Sequence, residues 1–427
     1  MYNYNILMKT VTHICYAASS QTAAYRLHRS LIHIGCESSI ITGAKSIIDK
    51  DLIQPCTLSE KMSAVTGVLR ERLYKRLFYE KNTTYFSLNI GPRLLQNSWL
   101  KKIYETKTDL IHLHWIGNGF IPLRDLIKLK KPIVWTMHDF WPITGGCHVI
   151  GECCRFKEHC GFCPQIGSNK KRDLSNKIFK IKEIIYNKLD LTIIAPSKWV
   201  ESEAKKSPLL NHIKIVRIPN AIDTTVFKPI NKKFAREILN LDSEKQIIAF
   251  GAISGTSDPN KGFNLLIEAI KIVSDQNKNL LLLIFGASVP KNVYDFGCET
   301  KYIGKLSDDI TLSLVYAAAD IVVVPSKQES FSQVSSESIA CGTPVVAFDS
   351  TGPKDIIDHK KNGYLARSYD SNDLANGILW ILEDKERWNL LSVNARDKAV
   401  TYFSYDVVGT RHKELYDEIL EMYGTKL

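Results

Sequence analysis

One pattern constrains this chain more than any other: short apolar runs alternate with amphipathic helical stretches, and the alternation occurs twice. Strand-length apolar runs separated by helices are the mark of parallel sheets with helices on both faces. In the first half the expected strands are Val11–Ala17, Ser38–Thr42, Leu110–His114, Ile133–Met137 and Leu191–Ala195, with helical patterns at Thr22–Ile34 and Leu123–Leu129. The run from Ile215 to Asp223 leads a strand into a turn, and there the rhythm restarts. The second set of strands is expected at Ile247–Gly251, Leu280–Phe285, Tyr302–Gly304, Ile321–Pro325 and Pro344–Phe348. Its helices are expected at Phe263–Ser274, Ile310–Ala319 and Ser335–Cys341, and a long amphipathic helix follows at Tyr405–Tyr423.

The fold class is therefore read as α/β, with two Rossmann-like, doubly wound parallel-sheet domains facing a cleft. A length of 427 residues suits two domains of roughly 200 residues each. The expected division is an N-terminal domain over 1–222, including a Cys-rich loop at 145–168, and a C-terminal domain over 223–404. The helix at 405–427 is expected to pack back on the N-terminal domain. Ligands of such folds bind outside the carboxyl ends of the strands.

Charge divides unevenly between the halves. Residues 1–222 carry 33 Lys/Arg against 17 Asp/Glu, whereas residues 223–427 carry 23 against 28. A basic half points to an anionic partner such as an inner membrane surface or a lipid pyrophosphate, with a solvated lysine-rich surface as the plain alternative. The stretch from Arg70 to Lys81 and the helix Asn176–Leu189, with Lys177, Lys180, Lys182 and Lys188, are the basic segments. The second has Ile178, Phe179, Ile181, Ile184 and Ile185 as an apolar part, and it is read as docking on an anionic leaflet. A nucleic-acid-binding reading leaves the motifs of the second half unexplained, so no nucleic acid partner is expected. No basic n-region with a long apolar run is visible near the start, and a cytoplasmic location is expected, peripheral on the inner face of the membrane.

The chemistry concentrates after the strand that ends at Pro325. A polar loop carries Glu329, Ser330, Phe331 and Ser332, a short helix carries Glu337, and Gly342-Thr343-Pro344 opens the next strand. A carboxylate accepts two hydrogen bonds from a vicinal diol and so suits a ribose. A helix start after Phe331 offers amide donors to a diphosphate. Earlier, the strand ending in Gly251 leads through a loop to Lys261-Gly262 at a helix start, where Lys261 meets a phosphate as a point charge.

Glu329 and Glu337 together resemble the Glu-x7-Glu signature of the family 4 retaining glycosyltransferases, which have the GT-B fold. The likeness extends to the run Ile218–Pro229, to Tyr316-Ala317-Ala318-Ala319-Asp320 and to Asn362-Gly363-Tyr364-Leu365. It implies that Glu337 binds the nucleotide ribose and Glu329 the donor sugar. Gly251, Lys261, Ser330, Phe331 and Ser332 complete the donor site by the same likeness. The family places an Arg shortly after the strand glycine, and Ala252 stands there instead, with Lys327 as a candidate to compensate.

In the first half, the strand Ile133–Met137 ends in His138-Asp139. The resemblance implies that His138 meets the donor sugar or orients the acceptor hydroxyl, with Asp139 holding that imidazole or touching the acceptor. His114 ends the neighbouring strand and is the acceptor-side candidate there; Ser19 and Ser20 stand where relatives commonly show paired glycines. The implied activity moves a sugar from a UDP- or GDP-sugar to a lipid-linked saccharide acceptor, with retention and without a catalytic metal, in bacterial surface polysaccharide synthesis. A nucleotide-sugar epimerase or hydrolase of the same fold is the alternative, and a zinc-containing nucleic-acid-binding protein a remote one.

Five of the ten cysteines fall within residues 147–163. Cys147, Cys153 or Cys154, Cys160 and Cys163 have the makings of a closed structural zinc site, with Cys154 taken as the second ligand. Reduced thiols or a redox-labile loop are the alternatives. The Gly-Gly-Cys-His and Cys-Gly-x-Cys-Pro elements are similar to colanic-acid-type transferases.

Overall fold

The computed structural model describes residues 10–44, 47, 49–79, 83, 85–89, 98–251, 258–289 and 294–425. The chain separates into two units, Met1–Ile218 with Gly409–Leu427 and Pro219–Val408.

The first unit contains β1 (Thr10–Cys15), β2 (Glu37–Thr42), β3 (Leu52–Ile53), β4 (Leu110–Leu113), β5 (Ile133–Thr136), β6 (Leu191–Ala195) and β7 (Lys214–Arg217). They form one sheet in the order β3-β2-β1-β4-β5-β6-β7, all parallel. β4, β5 and β6 are buried along their whole length, as strands covered on both faces must be. The second unit has β8 (Gln246–Gly251), β9 (Leu280–Phe285), β10 (Glu299–Gly304), β11 (Ile321–Val324), β12 (Val345–Phe348) and β13 (Gly363–Ala366). Their order is β10-β9-β8-β11-β12-β13, again parallel throughout.

Each sheet reverses its winding once, between β1 and β4 in the first unit and between β8 and β11 in the second. The loops leaving adjacent strands there turn to opposite faces and leave a crevice, the usual ligand position of this architecture. Ser19, Ser20 and His114 follow β1 and β4, while Gly251 ends β8 and Glu329 follows β11.

Several features differ from the sequence expectation. The helix Leu58–Phe78 is capped by Thr57 and Glu60 in a reciprocal capping box, a Thr-x-x-Glu signature legible in the sequence. The basic helix, Leu174–Tyr186, turns its apolar side inward: Ile178, Phe179 and Ile185 are buried, and Lys182 is 0% exposed. The membrane-facing reading of that helix is therefore corrected. Ile178, Phe179 and Ile185 are already used by the domain core, and Ile184 alone among its isoleucines is exposed. Asp320 accepts from Lys232 Nζ at 2.7 Å, Arg236 Nη2 at 2.8 Å and the Ile247 amide at 2.7 Å, which makes it a structural clasp. From Gly409 onward the helix Tyr405–Gly424 belongs to the first unit, where Tyr416 donates or accepts at 2.6 Å with His112 Nδ1.

Candidate functional site

In the second unit, Gly251 lets β8 end beneath the ring of Phe285, since a Cβ there would lie 2.0 Å from that ring. The loop that follows, with Ala252, lies outside the described residues. It returns at Asp258, whose side chain caps the turn Pro259–Lys261. Gly262 follows at φ +66°, and an added Cβ would meet the Pro325 carbonyl oxygen at 1.9 Å. Only glycine permits that approach, and it brings Lys261 beside the end of β11. Asn260 locks the two loops together: its Nδ2 donates to the Gln328 carbonyl at 2.8 Å and its own carbonyl accepts from the Lys327 amide at 2.7 Å.

The result is an ion pair between Lys261 Nζ and Glu329 Oε1 at 2.7 Å, with both side chains partly exposed. The Glu329 carboxylate holds the Lys261 ammonium above its ordinary range against the opposing effect of burial. Glu337, one helical segment further on, is buried, and its Oε2 accepts from the Tyr316 hydroxyl at 2.6 Å. A buried carboxylate persists only with such donors. Ser330 is half-buried beside Glu329.

Two other expected donor residues are scaffold. Phe331 is 2% exposed and packs edge-on against Phe403 at 5.5 Å. Ser332 is buried at φ +85° and caps the helix Gln333–Ala340, accepting from the Ser335 amide. That amide is taken by the cap, so the helix start offers fewer donors than expected. Lys327 is exposed.

In the first unit, β4 and β5 present His114 and His138 just past their ends. His138 Nε2 lies 2.8 Å from His114 Nδ1, and His114 Nε2 lies 2.9 Å from His13 Nδ1. His13 and His114 are fully or almost fully buried, and burial drives the titration of both well below the ordinary imidazole range. Burial also pushes His138 down to about 4, with Asp139 opposing the shift. All three are neutral near pH 7, so each contact has one N–H and one lone pair.

The two possible directions of that chain are not equivalent. His13 Nε2 is buried without a partner. Donation from His138 towards His13 would leave an N–H at that atom, whereas donation from His13 leaves only a lone pair, which is cheaper to bury unpaired. His138 is then an acceptor at Nε2 and carries its proton on Nδ1. His13 carries no signal in the sequence, because a histidine inside a strand resembles any buried polar residue.

Asp139 does not hold His138. Its Oδ2 pairs with His148 Nδ1 at 2.6 Å and its Oδ1 accepts from the Trp141 amide at 2.8 Å. His148 in turn contacts Ser87 Oγ. Ser19 and Ser20 are half-buried; the Ser19 carbonyl accepts from Thr22 Oγ1 at 2.8 Å and the Ser20 carbonyl from Arg26 Nε at 3.0 Å. His112 bonds Thr136 Oγ1 at 2.7 Å and Tyr416, so both its ring nitrogens are engaged. Ligand atoms of His13, His112 and His114 lie within 4.8 Å of one another, but those bonds make the group a hydrogen-bonded network.

In the cysteine loop, Cys147, Cys153, Cys160 and Cys163 line one small cavity. Cys154, the expected second ligand, is exposed and sits 3.5 Å from Lys157 Nζ. The structure brings Cys153 to the other three instead.

Comparison with known proteins matches residues 21–226 to the family model Glycosyltransferase Family 4 and residues 231–398 to Glycosyl transferases group 1. A D-inositol 3-phosphate glycosyltransferase of Thermobispora bispora is 26% identical over 73% of this chain and 71% of its own. The lipopolysaccharide 1,2-N-acetylglucosaminetransferase of Salmonella typhimurium is 27% identical over 53% and 61%. A D-inositol 3-phosphate glycosyltransferase of Segniliparus rotundus is 34% identical, but the match spans only 40% of its length. Among solved structures, sucrose-phosphate synthase from Thermosynechococcus elongatus superposes with a TM-score of 0.66 at 20% identity, covering 97% of this chain and 100% of that one. Anabaena Alr3699/HepE, solved with UDP and glucose, gives 0.63 at 16% identity, covering 96% and 100%. At these identities the structures share the fold.

Proposed function

We propose, of a chain that carries the family 4 and group 1 domains of a GT-B glycosyltransferase, that it transfers a sugar from a nucleoside diphosphate sugar to a saccharide acceptor. The observation that carries this reading is the pairing of Lys261 with Glu329 at 2.7 Å, together with the buried Glu337–Tyr316 pair, on loops and helices that flank β11 at the winding reversal of the second sheet. Glu337, held by Tyr316, accepts the ribose hydroxyls. Lys261 meets the diphosphate and stabilises the charge that develops as it departs. Glu329 holds the Lys261 ammonium and grips hydroxyls of the donor sugar. A UDP-sugar is the favoured donor, in keeping with the UDP bound by the Alr3699/HepE fold relative.

In the first unit, neutral His138 orients the sugar or the acceptor oxygen, with its tautomer set by His114. Transfer proceeds with retention, a phosphate oxygen of the donor taking the acceptor proton on the same face.

The acceptor is lipid-linked and the reaction serves surface polysaccharide synthesis, as the likeness to a lipopolysaccharide transferase supports. Docking on an anionic membrane rests on the helix Leu58–Phe78 rather than on Leu174–Tyr186. Leu58, Met62, Val65, Leu69, Leu73 and Leu77 follow helical spacing and are 52% to 74% exposed, with Lys61, Arg72 and Arg76 exposed on the same helix. An apolar stripe flanked by cations suits an interfacial position.

The test is sugar transfer from radiolabelled UDP- and GDP-sugars to lipid extracted from bacterial membranes. Acceptor-dependent incorporation, lost in Glu337→Ala and Glu329→Ala, supports the reading. Donor breakdown at the same rate without acceptor would make the chain a hydrolase or epimerase.

A further inference from the structure

We propose that Cys147, Cys153, Cys160 and Cys163 bind one zinc ion as a closed four-thiolate structural site. The four side chains come from three parts of the loop and line one cavity of about 20 Å³. That is room for a single water-sized body and too little for a multi-iron cluster.

One backbone amide already points at a thiol sulfur of the set. Cys160 Sγ accepts from the Gly145 amide at 3.3 Å. Amide donors of this kind stabilise a thiolate and orient it for a metal. The Cys160–Cys163 turn adds a second sign. Cys160 at φ +50° and Phe162 at φ +46° flank Gly161 at φ +111°. Two non-glycine residues in the left-handed region within one turn persist only where their surroundings over-determine them, and two metal bonds from the ends of the turn do so.

Lys182 is the third observation. It is wholly buried, and its bonded partners are the carbonyl oxygens of Trp141 and Thr144, with no carboxylate within ion-pair distance among the described residues. Burial pulls its ammonium down to about 7, and the charges of Cys160, Asp139 and Cys147 oppose that fall. A zinc ion with four thiolates carries two net negative charges, and Lys182 offsets part of them in a place where a lone ammonium is costly.

The thiol sulfurs are not among the groups whose ligand atoms already lie within 4.8 Å of one another, so side-chain rotation closes the site as the ion enters. Zinc enters as the dication and one proton leaves to solvent from each thiol that becomes a ligand; nothing is oxidised. Soft thiolate ligands in a closed set select zinc over magnesium or calcium. The ion would pin a segment of about twenty residues that otherwise holds only short 3-10 turns, directly after the His138-Asp139 strand end.

The experiment is metal analysis of the full chain purified without chelator, together with single serine variants. Wild type and Cys154→Ser should each hold one zinc per chain, and Cys153→Ser and Cys163→Ser should lose it. Since those variants also risk misfolding, cobalt is exchanged into the wild type, where a thiolate-to-cobalt charge-transfer band with tetrahedral d–d bands is expected. Zinc-free wild type whose cobalt complex lacks that band would overturn the proposal. So would full retention in Cys153→Ser, a Cys147–Cys163 disulfide in the reduced-purified chain, or iron in place of zinc.

Discussion

His138 Nε2 and His114 Nδ1 stand 2.8 Å apart with their rings stacked at 5.1 Å. One imidazole presents a lone pair to the other's proton, so the tautomer of His138 depends on a neighbour inside the sheet. His114→Phe keeps a planar ring, slightly larger, and removes that constraint. Turnover should fall at least tenfold, about 1.4 kcal/mol of barrier, while nucleotide affinity stays at the wild-type value. Steady-state kinetics with separate nucleotide binding checks the split; an equal loss in both would mean a general packing defect.

The Lys261–Glu329 pair makes opposite demands on its two members. Lys261→Met removes a cation from the phosphate position and should weaken UDP binding about tenfold or more, by roughly 1.4 kcal/mol. Glu329→Gln leaves the cation in place, so UDP should bind at least as tightly while sugar transfer drops. Calorimetric titration of both variants decides the matter. Weaker UDP binding in Glu329→Gln would contradict the assignment of Lys261 as the phosphate group.

Gly262→Ala should destabilise the second unit by about 2 kcal/mol or more, because it combines a positive φ with a collision against the Pro325 carbonyl. Urea unfolding measures it. A neutral substitution would mean that the Lys261 turn packs less closely on β11 than described.

Burial holds His13, His112, His114 and His138 below the ordinary imidazole range, His138 at about 4. Their unfolded values sit near 6.5, so on acidification the unfolded chain binds protons first. Stability from these groups is full above pH ~6.5 and falls as pH drops towards the folded values, by on the order of 1.4 kcal/mol per pH unit for each histidine. Urea midpoints at pH 7.5 and 5.5 should therefore differ, with a smaller difference in His112→Asn. Equal midpoints would show that the imidazoles are hydrated.

The sheets were legible because buried parallel strands are nearly continuous apolar runs, as in Leu280–Phe285 and Ile321–Val324. Two of the four edge strands were not: β3 has two residues, and β13 mixes Gly363 and Tyr364 with two apolar positions. In the site, Glu337 stood out as a carboxylate among small and apolar neighbours, and the structure buries it against Tyr316. The partner of Asp139 did not stand out, since only the fold of the cysteine loop carries His148 back to it. The same holds for Cys153 and Cys154. Adjacent residues in an irregular loop point in different directions, and spacing alone does not say which turns inward. Lys182 misled for a related reason: a lysine on a basic helix resembles its exposed neighbours until the carbonyls of Trp141 and Thr144 are placed above it.

The most direct measurement is the thermal shift of the full chain with UDP, GDP, ADP, TDP and CMP, repeated in Glu337→Ala. A ligand that binds only the folded state at a hundred times its Kd adds about 2.7 kcal/mol. One diphosphate, UDP by the present account, should raise the wild-type midpoint by several degrees and leave Glu337→Ala unmoved, with the two proteins melting alike in its absence. No shift with any nucleotide at millimolar concentration, or the same shift in Glu337→Ala, would contradict a nucleotide-sugar site built on Glu337.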